Sequence, residues 1–343
     1  MRLLVIRTSA MGDVALTTPV LKGMREQYPE VELLLLTRKT FMPFFNSIEG
    51  LHFFFPDFQN KHKGIIGLAR LYKEIRSRGE INYVIDLHDV LRSKILRFFF
   101  KINGTPVEVI DKGRREKKRV IRGKKKIQLK HTVERYRDVF ISAGFNLRPS
   151  GGPWICPSEE AGINTQSDIV LSDGLNIGVA PYSKHTLKMW PEENMISLLK
   201  MISERYNSKF WLFGGEDEIE RLSSFQDQVN GSFSVAGKLN LDRELTLISK
   251  LDFMIAMDSA NMHLAALTGT KVVSIWGGTD PLTGFGAWLQ NEELSIRIPV
   301  NELTCRPCTI YGKGTCRRKD LACMNWLIPE VVFKCIENLK IFQ

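Results

Sequence analysis

The sequence predicts an α/β protein of two domains, each built on a parallel sheet. Three observations lead there. Short apolar runs alternate with helix-length amphipathic stretches along the whole chain. The length, 343 residues, supplies material for two cores. A stretch of loop-forming residues between Asn146 and Gly174, with Pro149, Gly151, Gly152, Pro153, Pro157 and Gly162, separates two halves of similar size.

In the first half, Leu3–Ile6 reads as a strand, followed by a turn at Ser9 and Gly12 and a helix from Val14 to Gln27. Leu33–Leu36 and Tyr83–Leu87 are further strands, and Leu91–Ile102 is a helix. In the second half Ile177–Ala180, Phe210–Phe213, Phe253–Met257 and Val272–Trp276 read as strands, with helices at Glu192–Arg205, Glu216–Gln228 and Asn261–Leu267. In such sheets ligands bind beyond the carboxyl ends of the strands. The expected boundaries are an N-terminal domain over 1–155, a linker over 156–174, a C-terminal domain over 175–326 and a last helix in 327–343.

A hydrophobic fraction of 43% and a charged fraction of 25% fit a folded chain, and no apolar run is long enough for a spanning helix. Met1–Arg7 is too short and too strand-like for a signal peptide, so a cytoplasmic protein is expected. Six cysteines in that setting suggest free thiols or a metal rather than disulfides.

Charge is concentrated. The chain has 48 Lys and Arg against 38 Asp and Glu, but Lys112–Lys130 alone holds eleven cations and one acid. That strip accounts for the whole excess of +10. It is either a solvated loop or a site for an anionic partner, and nucleic acid is one such partner. It lacks the interleaved aromatic residues of a nucleic-acid surface, and no nucleic-acid partner is expected. Leu91–Ile102 mixes aromatics and cations as a membrane-surface helix would, or as a buried crossover helix with solvated Arg and Lys would.

Five segments carry polar residues where a strand should end, and a sixth carries clustered cysteines. Arg7-Thr8-Ser9-Ala10-Met11-Gly12-Asp13 joins a strand to a helix, and Asp13 is either a general base or an N-cap. Ser183-Lys184-His185-Thr186-Leu187-Lys188 precedes a helix begun by Pro191, a combination suited to phosphate. Gly214-Gly215 lets a ligand approach the backbone, and Glu218 beyond it either accepts from a ribose or belongs to an acidic first turn. Asp258-Ser259-Ala260 closes a strand and opens a helix carrying His263. Gly277-Gly278-Thr279-Asp280-Pro281 follows the next strand. Cys305, Cys308, Cys316 and Cys323 fall within 19 residues, either a structural zinc site or clustered reduced thiols.

In this order the segments resemble glycosyltransferase family 9, the ADP-heptose:lipopolysaccharide heptosyltransferases, over nearly the whole chain. The resemblance rests on Arg7–Asp13 with Thr17-Thr18-Pro19, Lys188-x-Trp190-Pro191-Glu192, Gly214-Gly215 with Glu218, Asp258-Ser259 with His263, Gly278-Thr279-Asp280-Pro281 and the late cysteines. It implies a GT-B fold, two Rossmann-like domains with parallel sheets facing a central cleft. It also implies an inverting, metal-independent transfer of heptose from ADP-heptose to the inner core of lipopolysaccharide, a Kdo-lipid A or heptosyl acceptor.

Carried over, Asp13 matches the base and Lys188 the donor-phosphate lysine. Ser183, Lys184, Glu218, Leu239, Asp258, Ser259, Ala260 and His263 fall in the donor segments. Ser9, Met11, Gly12, Arg92, Arg114 and Arg115 are expected on the acceptor side, with the basic strip toward an anionic glycolipid at the inner face of the inner membrane. The last helix would return to the N-terminal domain. No cofactor beyond the nucleotide sugar is required, and a monomer is expected. Ser259-Ala260 stands where Thr-Gly is common, Ser183-Lys184 replaces paired hydroxyls, and Leu239 replaces a common Met. These departures leave open another nucleotide-hexose donor for a cell-surface polysaccharide.

Overall fold

The computed structural model describes residues 1–123, 126–157, 171 and 173–342. They form two compact units, Met1–Lys112 with Thr132–Cys156, and Gly113–His131 with Pro157–Gln343. Most of the expected linker, 158–170 and 172, lies outside the described residues.

In chain order the first unit begins with β1 (Arg2–Ile6), α1 (Met11–Ala15), α2 (Thr18–Gln27), β2 (Glu32–Leu36) and β3 (Leu51–Phe54). It continues with α3 (Gly64–Ser77), β4 (Tyr83–Asp86), α4 (Leu91–Ile102) and β5 (Val107–Val109). The chain then contributes α5 (Arg114–Arg122) to the second unit and returns to the first with α6 (Thr132–Ser142).

The first sheet is parallel in the order β3-β2-β1-β4-β5, with Leu3 opposite both Leu33 and Tyr83. Helices cover both faces, which is why its central strands are apolar at almost every position. Leu68, Leu71 and Ile75 of α3 and Leu96 and Phe100 of α4 close one face over Leu4, Ile6, Leu34, Leu36 and Val84. The single helix expected from Val14 to Gln27 is two. The Thr17 hydroxyl donates to the Val14 carbonyl at 2.6 Å and Thr18 to Ala15 at 2.8 Å, and Pro19 falls in the first turn of α2. These local bonds compete with the helix ladder, and proline is harmless only at a helix start.

The second unit runs β6 (Leu175–Ala180), α7 (Glu192–Arg205), β7 (Ser208–Leu212), α8 (Ile219–Gln226), β8 (Ser232–Ser234), α9 (Leu241–Ser249) and β9 (Phe253–Met257). It ends with α10 (Ala260–Thr268), β10 (Lys271–Ile275), β11 (Ser295–Ile296), α11 (Ala322–Asn325) and α12 (Pro329–Asn338). Its sheet is parallel in the order β11-β10-β9-β6-β7-β8, with Ile177 opposite both Phe210 and Phe253.

Two placements differ from the sequence expectation. The last helix, expected on the N-terminal domain, packs on α7 of its own unit. Val332, Phe333 and Ile336 join that core beside Leu198, Leu199 and Ile202, and Arg205 meets Glu337 at 2.7 Å. Each such buried apolar side chain contributes about 1.5–3 kcal/mol.

The basic strip, expected in the acceptor domain, groups with the second unit. Gly113 takes up a left-handed conformation (φ 61°) at the start of α5, where a side chain would be strained. Lys117 is buried with its ammonium 3.8 Å from the Phe285 ring centre, a cation–π contact. The Leu129 N–H donates to the Leu282 carbonyl at 2.9 Å, and the His131 ring lies 4.7 Å from that of Trp288. The strip is thus partly a packed structural element, which its charge concealed. Lys124 and Lys125 lie outside the described residues.

Candidate active site

Each sheet has a switch point, where successive strands are added in opposite directions. In the first it falls between β1 and β4, and in the second between β6 and β9. A crevice opens beyond the carboxyl ends at such points. Of the segments singled out in the sequence, Arg7–Asp13 leaves β1, Ser183–Lys188 leaves β6 and Asp258–Ala260 leaves β9, while Gly214-Gly215 and Gly277–Pro281 leave β7 and β10.

Beyond β1, Asp13 lies in the first turn of α1, with Ala10 at the N-cap position and no side-chain cap there. Asp13 is therefore not an N-cap. Its Oδ2 meets Arg7 Nη2 at 2.8 Å, and Oδ1 has no hydrogen-bond partner among the described residues. Arg7 is buried, donates from Nη1 to the Leu87 carbonyl at 2.6 Å and lies 5.7 Å from the Tyr136 ring centre. Burial works against its charge, but Tyr136 and Asp13 outweigh that and raise its pKa. The Tyr136 hydroxyl donates to the Asp13 carbonyl oxygen at 3.1 Å. The carboxylate is thus held by its neighbours while one oxygen stays open.

Beyond β4 the chain supplies His88, which the sequence reading did not select. Its ring nitrogens lie 3.1 Å from the Thr8 hydroxyl and 3.2 Å from the Ser9 hydroxyl. Burial, with Arg7 and Lys112 nearby, pushes its pKa down to about 3, so the imidazole is neutral near pH 7. Asp86, fully buried, accepts from the His88 N–H at 2.9 Å and pairs with Arg97 at 2.6 Å. The signal available in the sequence was position: His88 follows directly on a strand that ends beside β1.

In the second unit, Asp258 is buried at the end of β9. Its Oδ2 accepts from Lys188 Nζ at 2.8 Å and from the Thr279 hydroxyl at 2.7 Å. The Ser183 hydroxyl donates to the Asp258 carbonyl at 3.1 Å. Ser183, Lys188, Asp258 and Thr279 are thus brought together from the ends of β6, β9 and β10. Ser259 takes the N-cap position of α10 without capping it, and its buried hydroxyl oxygen has no hydrogen-bond partner among the described residues. Ala260 opens that helix, and His263 is buried one turn on. Lys184 is exposed in the loop between Ser183 and Lys188.

Other predicted residues have structural partners. Glu218 Oε2 accepts from the Gly215 N–H at 2.8 Å, closing the turn before α8. Leu239 is half-buried in the turn before α9. Trp190 is core, and its indole donates to the Leu327 carbonyl at 2.8 Å. Ser9, Met11, Gly12 and Arg92 belong to the first unit, whereas Arg114 and Arg115 sit on α5 in the second. Arg92 lies 5.0 Å from the Phe58 ring centre.

The cysteine segment behaves differently from a metal site. No group of three or more His, Cys, Asp or Glu able to hold an ion occurs among the described residues, so Cys305, Cys308, Cys316 and Cys323 are not assembled as a zinc site. All four are free thiols. Burial pushes Cys323 up to about 11, with the Arg306 charge opposing.

Instead the segment braces the loop after β10. Buried Arg306 donates to the carbonyls of Gly277 at 2.7 Å and Thr279 at 3.0 Å, bonds also to that of Ile298, and lies 3.3 Å from Asp280. The Cys308 N–H donates to the Gly278 carbonyl at 2.9 Å, and the Gly278 N–H to that of Leu187 at 2.8 Å. Gly312 (φ 79°) packs so close that a β-carbon there would lie 2.7 Å from Lys188 Cγ. The segment therefore holds Thr279 and Lys188 in place, a role hidden in the sequence because the Gly277 and Thr279 carbonyls lie 29 and 27 residues from Arg306.

Comparison with known proteins completes the picture. The family described as glycosyltransferase family 9 (heptosyltransferase) matches residues 68–311. The lipopolysaccharide core heptosyltransferase OpsX of Haemophilus influenzae is 25% identical over 293 residues, 82% of this chain and 80% of its own. Among solved structures, a glycosyl transferase family 9 protein of Veillonella parvula superposes with a TM-score of 0.79 at 20% identity, covering 100% of this chain and 98% of that one. The ADP-heptose lps heptosyltransferase II of E. coli superposes with a TM-score of 0.68 at 18% identity, covering 99% and 98%. The fold is thus GT-B, with two parallel α/β units. With the family matched across more than half its length, the chain belongs to glycosyltransferase family 9 (heptosyltransferase) and is a glycosyltransferase.

Proposed function

We propose that the protein transfers a heptose from ADP-heptose to the inner core of lipopolysaccharide, with inversion and without a metal, at an acceptor presented on the inner face of the inner membrane. The observation that carries this reading is the pair of switch-point sites. One offers an open carboxylate oxygen on Asp13, held by Arg7. The other offers an ammonium on Lys188, held by Asp258. The names of the relatives, lipopolysaccharide core heptosyltransferase and ADP-heptose heptosyltransferase, supply the sugar and the acceptor class.

In the proposed reaction Oδ1 of Asp13 takes the proton of the acceptor hydroxyl as that oxygen attacks the anomeric carbon. The bond to the diphosphate breaks on the opposite side. Negative charge grows on the leaving ADP, and Lys188, the Ser259 hydroxyl and the first N–H groups of α10 stabilise it. Asp258 keeps Lys188 aimed and Thr279 keeps Asp258 aimed. Arg7 steadies Asp13 without taking its proton, because a guanidinium stays charged. Lys184, Glu218, Leu239 and His263 remain candidates for the nucleoside and sugar, with Ser9, Met11, Gly12 and Arg92 as candidates for the acceptor. The enzyme acts as a monomer.

The test is a donor panel. ADP-heptose is compared with UDP- and GDP-hexoses by calorimetry, then in transfer to a Kdo-bearing acceptor with and without chelator. Selective binding of ADP-heptose and chelator-resistant transfer with inverted anomeric configuration are expected. Preference for a hexose donor would move the protein to another branch of the family.

A further inference from the structure

Helix α4 is apolar on two opposite faces. Ser93, Leu96 and Phe100 point into the core of the first unit. At 100° per residue, Leu91, Phe98 and Ile102 share a stripe on the far side of the helix, with Ile95 at its flank partly buried against the core. Leu91 is 74% exposed, Phe98 57% and Ile102 61%, so packing within the unit does not account for the stripe.

The stripe continues onto the start of α3. Ile65 and Ile66 are 64% and 81% exposed, and Arg92 stacks on Phe58, just before that helix. Tyr72 of α3 meets Phe99 and Phe100 of α4, which sets the two helices side by side. Both are crossover helices of one parallel sheet, so both begin at its carboxyl end, where Asp13 lies.

Charge selects the occupant. Helix α4 has four cations, Arg92, Lys94, Arg97 and Lys101, and no acid. Lys94 and Lys101 line one side of the stripe and Arg92 the other, all exposed. Exposed Lys63, Arg70 and Lys73 add cations along α3. A row of large apolar side chains between rows of cations matches an anionic phospholipid surface: the apolar groups enter the acyl boundary while the ammonium and guanidinium groups stay at the phosphates.

We propose that the outward face of α4, with the first turn of α3, is the surface by which the protein docks on an anionic phospholipid bilayer. The proposal deepens the reading that the acceptor is held in a lipid surface, and it gives to this face the role that charge alone had suggested for Lys112–Lys130.

Flotation with phosphatidylcholine vesicles, and with mixed phosphatidylcholine–phosphatidylglycerol vesicles, tests it on the full chain. The wild type should float with the mixed vesicles and bind phosphatidylcholine alone at least about tenfold more weakly, since each cation near an anionic surface contributes roughly fivefold. The triple variant Leu91→Gln, Phe98→Gln, Ile102→Gln should lose at least about tenfold of that binding. Its unfolding midpoint and its turnover on a soluble, delipidated acceptor should be unchanged. Lys94→Gln with Lys101→Gln should weaken binding to mixed vesicles only.

Wild-type protein that floats with neither vesicle, or a triple variant that floats as the wild type does, would overturn the proposal. A concentration-dependent dimer abolished by the triple variant would also overturn it, assigning the face to a second copy. Vesicle binding lost in the variant, alongside no heptosyl transfer by the wild type, would sink the proposed reaction and leave the docking face standing.

Discussion

In the first unit the cation is the buried partner of the ion pair and the acid the open one: Arg7 is 6% exposed and Asp13 33%. In the second the order is reversed, with Lys188 16% exposed and Asp258 6%. Both pairs measure 2.8 Å and both stand at a sheet switch point. The buried member of each is further held by neighbours, Arg7 by the Leu87 carbonyl and Asp258 by Thr279. The same contact thus leaves a different group more open in each unit, a carboxylate in the first and an ammonium in the second, which fits the proton-taking and charge-meeting roles proposed for them.

The sharpest way to break this contrast is Asp13→Asn. Turnover should fall by roughly 10²–10⁴-fold, the range for a general base, with donor affinity by calorimetry unchanged. Normal turnover would remove Asp13 from the reaction.

Acid provides the next test, because each unit holds a neutral histidine, buried His88 in the first and half-buried His131 in the second. His88 is pushed down to about 3, mainly by burial, and His131 to about 4, again mainly by burial. A group with a folded pKa below its ordinary 6.5 binds its proton more readily when unfolded. Its stabilising contribution is full above that value and is lost as pH falls toward the folded one. Each histidine should steepen the loss by up to about 1.4 kcal/mol per pH unit in that window. Unfolding midpoints measured from pH 7 down to 5 should fall, and His88→Asn should flatten part of the slope. A pH-independent midpoint would contradict the neutral rings.

Lys188→Ala should weaken donor binding by roughly 10–100-fold, as expected for a hydrogen bond to a charged group, while leaving acceptor affinity alone. Equal donor affinity in that variant would mean that the exposed member of the second pair is not the one that meets substrate. Thr279→Val should be mildest. It releases one side of Asp258 and should raise the donor KM only a few-fold, about 0.5–1.5 kcal/mol. An effect as large as that of Lys188→Ala would place Thr279 against the donor itself.

The central strands were legible because parallel strands covered on both faces are apolar without interruption. Leu3–Ile6, Leu33–Leu36 and Phe253–Met257 stand out for that reason. The edge strands β5, β8 and β11, three, three and two residues long, carry too little pattern to be read. Asp13, Lys188 and Asp258 were visible as polar residues where apolar runs stop. Which groups each one meets was not. Arg7 and His88 are 81 positions apart in a chain that joins them only by pairing β1 with β4. Arg306 was hidden among cysteines whose spacing suggested metal, although its own contacts are to backbone carbonyls. The charge of Lys112–Lys130 suggested a solvated loop or a site for an anionic partner because composition does not reveal that Lys117 is buried on an aromatic ring.

That strip has a consequence for how the protein can be divided. The second unit is discontinuous: it takes 113–131 from within the first before the chain returns to form α6. Cutting after Cys156 would leave the N-terminal fragment carrying an orphaned nineteen-residue excursion, and would deprive the C-terminal fragment of the backbone bond from Leu129 to Leu282 and of the Lys117 contact with Phe285. Neither fragment inherits a full set of its own interactions. The two halves are coupled by the chain path itself, so dissecting them calls for a circular permutation or an excised loop rather than a single cut.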